Sequence, residues 1–300
     1  MATGICADGG GTTSFIAMNP ASEFDTDKLA TSQAVVARRY THGEWKEQPD
    51  RIAEEVPLAL IYNGIAHAVM LGTPADLADF ALGFSLTEGI ISQAKHLRDI
   101  EVRASDLGLE IYLEIAAESF QGFKASRRQM AGRTGCGLCG QESLQQAIRP
   151  IPKVGQQLRI QPKALEQALS QLPEWQTLHQ TTGGVHAAAW ADTAGNIQYL
   201  REDVGRHNAL DKLLGALFKA NINTQQGFLL LTSRASHELV YKAAFAGIEL
   251  IAAVSAPTSL ALKHAETAGL TLVGWVRKGG FSVYSGNGFS TINPHSSKSL

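Results

Sequence analysis

The sequence predicts an α/β fold, a mixed sheet with helices on both faces, preceded by a smaller N-terminal α+β subdomain. Three observations predict it. In the C-terminal half, short apolar runs alternate with amphipathic helical segments, the pattern of a partly parallel sheet joined by helical crossovers. Nearer the N-terminus, two strand-like runs flank Asn63-Gly64, a dipeptide suited to a type I′ hairpin turn. The 300 residues are 44% hydrophobic and 18% charged, enough to bury a full core and unlike a disordered chain or a coiled coil.

The elements follow in order. Residues 1–32 are rich in Gly, Ala, Ser, Thr and Asp without sustained periodicity and read as a flexible leader. Gly9-Gly10-Gly11-Thr12-Thr13 lacks the lysine of a phosphate loop and follows no convincing strand. An N-terminal β-rich subdomain spans 33–118. Val35 to Tyr40, Leu58 to Tyr62, Ile65 to Leu71, Asp99 to Ala104 and Leu109 to Ile115 read as its strands. Its helix starts with Thr73 as cap, Pro74 in the first turn and Asp76 and Asp79 at the positive end. Leu77, Phe80, Ala81 and Phe84 form the apolar face, and Gly89 ends it. Residues 119–141 combine Lys124, Arg127, Arg128 and Arg133 with glycines and two cysteines, and read as a mobile basic loop.

The α/β domain, 142–286, opens with a helix over Gln161 to Leu172. Strands at Val185 to Trp190 and Ile197 to Leu200 surround an Asp192 to Asn196 turn. A helix over Asn208 to Ala220 follows. Strands Phe228 to Leu231, Leu250 to Val254 and Thr271 to Trp275 then alternate with helices over Ser236 to Ala246 and Thr258 to Ala268. Residues 287–300 read as a flexible tail.

Composition restricts function. The net charge of −2 provides no global field for nucleic acid. Three cysteines are not a secreted disulfide framework. No apolar run reaches the roughly 18 residues of a membrane span, and the N-terminus does not read as a signal peptide. A cytoplasmic protein is expected, with no membrane partner.

Cys136 and Cys139, within Arg133-Thr134-Gly135-Cys136-Gly137-Leu138-Cys139-Gly140, are the strongest local signal. Two thiols at this spacing serve a redox disulfide, half a zinc site or a sulfur-transfer thiol, and nearby arginines favour the nucleophilic thiolate. A chance CxxC in a solvated loop is the bland alternative. Zinc is not expected: there is no second CxxC, and His42-Gly43-Glu44 stands far upstream of a pair preceded by Gly135 rather than proline.

A second constellation lies where strands meet helices. Thr182-Gly183-Gly184-Val185-His186 opens a strand. Arg206 and His207 follow Gly205 at a helix start and make an anion cradle as readily as a solvated cap. Ser233, Arg234 and Ser236 follow one apolar strand, and Ser255 and Thr258 follow the next. Such junctions bind ligands in open α/β sheets, although N-capping alone accounts for Ser236 and Thr258. Trp275-Val276-Arg277-Lys278-Gly279-Gly280 adds two cations and two glycines. Together these points suit a phosphate-bearing ligand.

These segments, in this order, resemble the formate dehydrogenase accessory sulfurtransferase family (FdhD). The resemblance rests on Arg133 to Gly140, Thr182 to Ala188, Arg201 to Asp211, Ser233 to Glu238 and Val254 to Leu260, and covers Ala34 to Ser285. It implies a cytidine-deaminase-like C-terminal domain without zinc chemistry, and a homodimer. It implies a sulfur carrier that accepts persulfide sulfur from a cysteine desulfurase. The sulfur passes to the molybdenum bis(guanine dinucleotide) cofactor before that cofactor enters the catalytic subunit of formate dehydrogenase. The family's persulfide cysteine matches Cys136, and its cofactor-binding stretch matches Trp275 to Gly280. Cys139 is expected to release the sulfur from Cys136 or to hold it. The cofactor is sulfur acceptor rather than resident group, bound through its guanine nucleotide moiety. Two other readings compete: a non-enzymatic chaperone that binds and protects the cofactor, and a thiol-disulfide oxidoreductase.

Overall fold

The computed structural model describes residues 29–131 and 150–290. An antiparallel ribbon comes first, β1 (Ser32–Thr41) and β2 (Glu44–Ala53), paired with each other from Ser32↔Ala53 to Thr41↔Glu44. The second strand, with Glu44, Lys46 and Glu47 among its first five residues, has no apolar alternation to announce it, and the sequence does not predict it. Ser32 already belongs to a strand, and Leu29 packs on the neighbouring core, so the expected leader ends before residue 29.

Strands β3 (Val56–Tyr62), β4 (Ile65–Gly72), β5 (Leu97–Ser105) and β6 (Gly108–Ile115) form a four-stranded sheet in the order β4-β3-β6-β5. Asn63 and Gly64 turn the β3–β4 hairpin with φ of 46° and 80°, as a type I′ turn requires. Helix α1 (Leu77–Thr87) is buried along nearly its whole length, because it lies between this sheet and the next domain and needs apolar residues all round. Thr73 does not cap it. The N-cap is Asp76, at φ 52°, and Thr73 is buried among polar groups of the neighbouring domain.

Ser119 to Ala131 is helical rather than looped. It belongs to α2 (Ala117–Ala131), which has Glu118 in its first turn. Phe123 packs against Tyr62 and His67, at ring centroids of 5.3 and 5.2 Å, and fixes the helix on the sheet. Two phenylalanines three residues apart, Phe120 and Phe123, supply its apolar stripe among polar residues, too little to read as periodic. Residues 132–141 of the expected loop, with Cys136 and Cys139, lie outside the described residues.

The second sheet has six strands in the order β12-β11-β10-β9-β7-β8. They are β7 (His186–Asp192), β8 (Ile197–Asp203), β9 (Gly227–Leu231), β10 (Leu250–Ala253), β11 (Thr271–Arg277) and β12 (Gly280–Ser285). Strands β9, β10 and β11 are parallel; β7 is antiparallel to β8 and β9, and β12 to β11. Alternation along β9 divides the core: Leu229 and Leu231 face α5 (Arg206–Lys219), α6 (His237–Phe245) and α7 (Ser259–Ala268). Phe228 and Leu230 face α3 (Pro162–Trp175). This is the mixed sheet with helices on both faces that the alternation predicts. A short helix α4 (Thr177–Thr182) leads into β7.

The expected boundaries move in two further places. Strand β8, expected over Ile197 to Leu200, runs on to Asp203. Residues 287–290, assigned to the tail, are packed: Phe289 stacks on Phe281 and bridges Ile160, and the Gly288 N–H donates to Thr271 Oγ1.

Candidate functional site

The three parallel strands end at Leu231, Ala253 and Arg277 on one edge of the sheet. Antiparallel β7 starts there with His186, which pairs with Asp203 at the end of β8. The N-termini of α5, α6 and α7 open on the same edge. Their first N–H groups are unsatisfied within the helix and carry partial positive charge. An anion placed there meets several such ends together.

Hydrogen bonds sew this edge into one surface. The Ala187 N–H donates to Thr232 Oγ1 (2.8 Å), and the Thr232 N–H returns to the Ala187 carbonyl (3.1 Å). Ala235 and Pro257 form a parallel bridge, and the Thr258 N–H donates to the Ala235 carbonyl. The Trp275 N–H donates to the Ser255 carbonyl (3.2 Å). His207 Nε2 lies 3.3 Å from Ser236 Oγ and 3.0 Å from Glu238 Oε2. His186, Arg206, His207, Ser233, Arg234, Ser236, Ser255, Thr258 and Trp275 thus occupy adjoining loops and strand ends.

Their side chains are not equally available. Arg234 and Trp275 are exposed. Arg206 is half-buried, and its Nε is buried without a hydrogen-bond partner. Ser233 is buried and donates to the Arg234 carbonyl. Thr258 caps α7 by accepting from the Ala261 N–H, whereas Ser236 makes no capping bond to α6 and leaves that helix end open. Val276 points the other way: it is 1% exposed and packs in the core against α3, so it offers a ligand only backbone. Lys278 and Gly279 turn β11 into β12, and Gly279 holds φ 89°, so the left-handed turn accounts for this glycine.

Trp275 has φ 57°, a left-handed conformation rare for a bulky residue, at an irregularity between β11 and β12. The twist turns its ring out of the sheet to 43% exposure, with the Arg277 guanidinium 5.4 Å from the ring centroid. A flat aromatic face beside a cation is a stacking surface for a base.

The site is poised for anions. Burial lowers the pKa of His186 below the ordinary histidine value, and the charges of Arg206 and His179 lower it further against Asp203. Burial likewise lowers His207, with Glu238 opposing and Arg206, Lys242 and His237 adding to the effect. Both shifts favour the neutral imidazole beside the Arg206 guanidinium.

Several residues escaped the sequence reading. His179, on α4, lies beside His186 with Nδ1 3.2 Å from the Val185 carbonyl. Beneath Gly205, Asp203 and Lys212 form a fully buried ion pair at 2.7 Å. The available signals were Asp203 two residues before Gly205, an Asx-turn spacing, and Asn208 and Lys212 four apart on one face of the helix. A cavity of about 370 Å³ lies elsewhere, at the opposite edge of the sheet, lined by Gly155, Glu249, Gly269, Thr271 and Gly288. There Glu249 is consumed structurally, accepting from the N–H groups of Gln157 and Leu158. Among the described residues, no cluster of three or more His, Cys, Asp or Glu side chains is arranged to hold a metal.

Residues 53–289 match the FdhD/NarQ family, a span that takes in both the four-stranded and the six-stranded sheet. The chain belongs to the FdhD/NarQ family. A Cupriavidus necator protein named sulfur carrier protein FdhD is 50% identical over 268 residues, covering 89% of this chain and 93% of its own. One of the same name from Bordetella petrii is 50% identical over 238 residues, covering 79% of this chain and 86% of its own. In three dimensions, a crystal structure of a formate dehydrogenase accessory protein from Desulfotalea psychrophila matches with a TM-score of 0.65. It is 23% identical and covers 85% of this chain and 97% of its own, which shows that the fold is shared. The ribbon β1–β2 lies almost wholly before the family match.

Proposed function

We propose that this FdhD/NarQ family member is a sulfur carrier that serves formate dehydrogenase. Close relatives named as sulfur carriers support the reading, and so does the Cys136/Cys139 pair in a glycine- and arginine-rich segment. The Cys136 thiolate attacks the terminal sulfur of a persulfide on a cysteine desulfurase. One S–S bond breaks and another forms, the donor leaves as a thiolate, and no net oxidation occurs. The loaded Cys136 then gives its sulfur to the molybdenum bis(guanine dinucleotide) cofactor, here substrate and not resident group. Cys139 releases the sulfur by attacking the inner sulfur of the Cys136 persulfide, which forms a Cys136–Cys139 disulfide and expels the outer sulfur as hydrosulfide, the disulfide being reset by a cellular thiol reductant; or it attacks the outer sulfur, frees the Cys136 thiolate and holds the persulfide in turn.

The observation that carries the acceptor half is the convergence of three helix N-termini with Arg206, Arg234 and an outward-turned Trp275 on one sheet edge. Helix ends and guanidinium groups hold phosphates, and the indole stacks on a guanine. Ser236, Ser255 and Thr258 line the approach with small polar groups, with Ser233 buried behind them. The protein works in the cytoplasm as a homodimer; no described helix is long and apolar enough to cross a membrane.

The test is complementation. In cells lacking their own copy, the wild-type chain restores formate dehydrogenase activity and Cys136→Ser does not. Full activity with Cys136→Ser supports the chaperone reading, in which binding and protecting the cofactor is the whole function. A reversible Cys136–Cys139 disulfide with reductase activity on generic substrates supports the oxidoreductase reading.

A further inference from the structure

Asp203 ends β8 immediately below the turn that starts α5, and it is fully buried. Its two carboxylate oxygens take four donors. Oδ1 accepts from the Gly205 N–H (2.7 Å) and Asn208 Nδ2 (3.1 Å). Oδ2 accepts from the Thr73 N–H (3.0 Å) and Lys212 Nζ (2.7 Å). Lys212 is equally buried, and its ammonium also meets the carbonyls of Thr73 (2.9 Å) and Glu202 (3.4 Å). Thr73 closes the arrangement by accepting from the Val204 N–H (3.2 Å). The Val204–Gly205 turn is thus held from below by a saturated ion pair and from the side by the N-terminal unit.

Two physical consequences follow for the anion edge. The clamp on Gly205 fixes where the first N–H groups of α5, and Arg206 behind them, point. It also controls charge: an unpaired carboxylate at the helix start would repel an anion approaching those N–H groups, and Lys212 cancels it in a medium that screens little. We infer that Asp203 and Lys212 are positioning residues for the phosphate cradle at the start of α5. They hold its donors toward the ligand and keep the cradle free of net negative charge. Neither touches the ligand. The inference rests on the reading that this edge binds a phosphate-bearing nucleotide, and it adds that the N-terminal unit, through Thr73, is part of the cradle.

The test is equilibrium binding of GDP and GMP to full-length protein, read as the ratio of the two affinities. Wild type favours GDP, because its second phosphate engages the cradle. In Lys212→Met, which loosens the clamp and leaves the Asp203 carboxylate unpaired, GDP affinity falls about tenfold or more while GMP affinity changes less, so the ratio approaches one. Because a lone buried charge endangers folding, the double variant Asp203→Asn/Lys212→Met is measured alongside; it removes both charges with similar side-chain volume. It is expected to keep the wild-type circular dichroism spectrum and still to lose the GDP preference. A folded double variant with the wild-type ratio overturns the inference and assigns the pair to stability alone. Absence of GDP binding by the wild-type protein overturns the underlying reading, and the inference with it.

Discussion

Gly83 and Gly215 bring α1 and α5 into backbone contact across the two units of the protein. A Cβ on Gly83 would lie 1.8 Å from the Asp211 carbonyl oxygen, and one on Gly215 would lie 1.9 Å from that of Asp79. The approach is reciprocal, so neither glycine can be replaced without separating the helices. Gly83→Ala and Gly215→Ala are each expected to cost about 3 kcal/mol or more, read in urea unfolding. Gly89→Ala is the control: nothing lies within 4 Å of its Cβ position, and only the penalty for its φ of 71° applies.

The same interface buries a second ion pair. Lys242 lies 2.6 Å from Asp211, and Thr87 donates to the other oxygen of that carboxylate (2.9 Å). Burial raises the pKa of Asp211 although Lys242 opposes it, so the carboxylate depends on its partner. Lys242→Met is expected to destabilise the protein by about 3–5 kcal/mol, because it strands a buried charge. Lys242→Met combined with Asp211→Asn should recover much of that loss in the same unfolding measurement.

Trp275 separates binding from stability. Trp275→Ala is expected to weaken GDP binding by about 1–3 kcal/mol, the range for a base stacked on an aromatic ring. Trp275→Gly should weaken binding as much yet unfold about 1 kcal/mol later than Trp275→Ala, since glycine tolerates the left-handed φ of 57°. Equal stability of the two variants would mean that this backbone is not held left-handed.

The histidines set a pH dependence. The folded-state pKa values of His186 and His207 lie below the ordinary value of 6.5, so the unfolded chain takes up their protons first as pH falls. Their contribution to stability is complete above pH 6.5 and is lost as pH falls from there through their lowered values. His186→Gln and His207→Gln should therefore narrow the difference in Tm between pH 7.5 and pH 5.5 relative to wild type. Glu202 acts in the opposite direction, because burial raises its pKa; comparison of variant with parent at each pH removes its contribution.

Much of this architecture is legible in the amino acids. The Asn63-Gly64 turn, the four-residue burst of β10 and the strand–helix alternation each follow from local chemistry, and they bring Ser236, Ser255 and Trp275 to one edge. What stays hidden depends on distant partners. Asp203 and Thr73 meet across 130 residues, and the role of Thr73 as a buried bridge is disguised by its aptness as a helix cap. Helix α2 is hidden because its order comes from Phe123 meeting Tyr62 and His67, not from a periodic stripe of its own. Val276 is named with its neighbours by a sequence motif, whereas strand alternation sends it into the core.

The central claim, that sulfur travels on Cys136, is tested most directly by mass. Full-length protein is incubated with an active cysteine desulfurase and cysteine, and its intact mass and peptide map are taken before and after reduction. The account predicts a reducible gain of one sulfur atom on the peptide holding Cys136, absent in Cys136→Ser. An unchanged wild-type mass, with the desulfurase shown to be turning over, would contradict it.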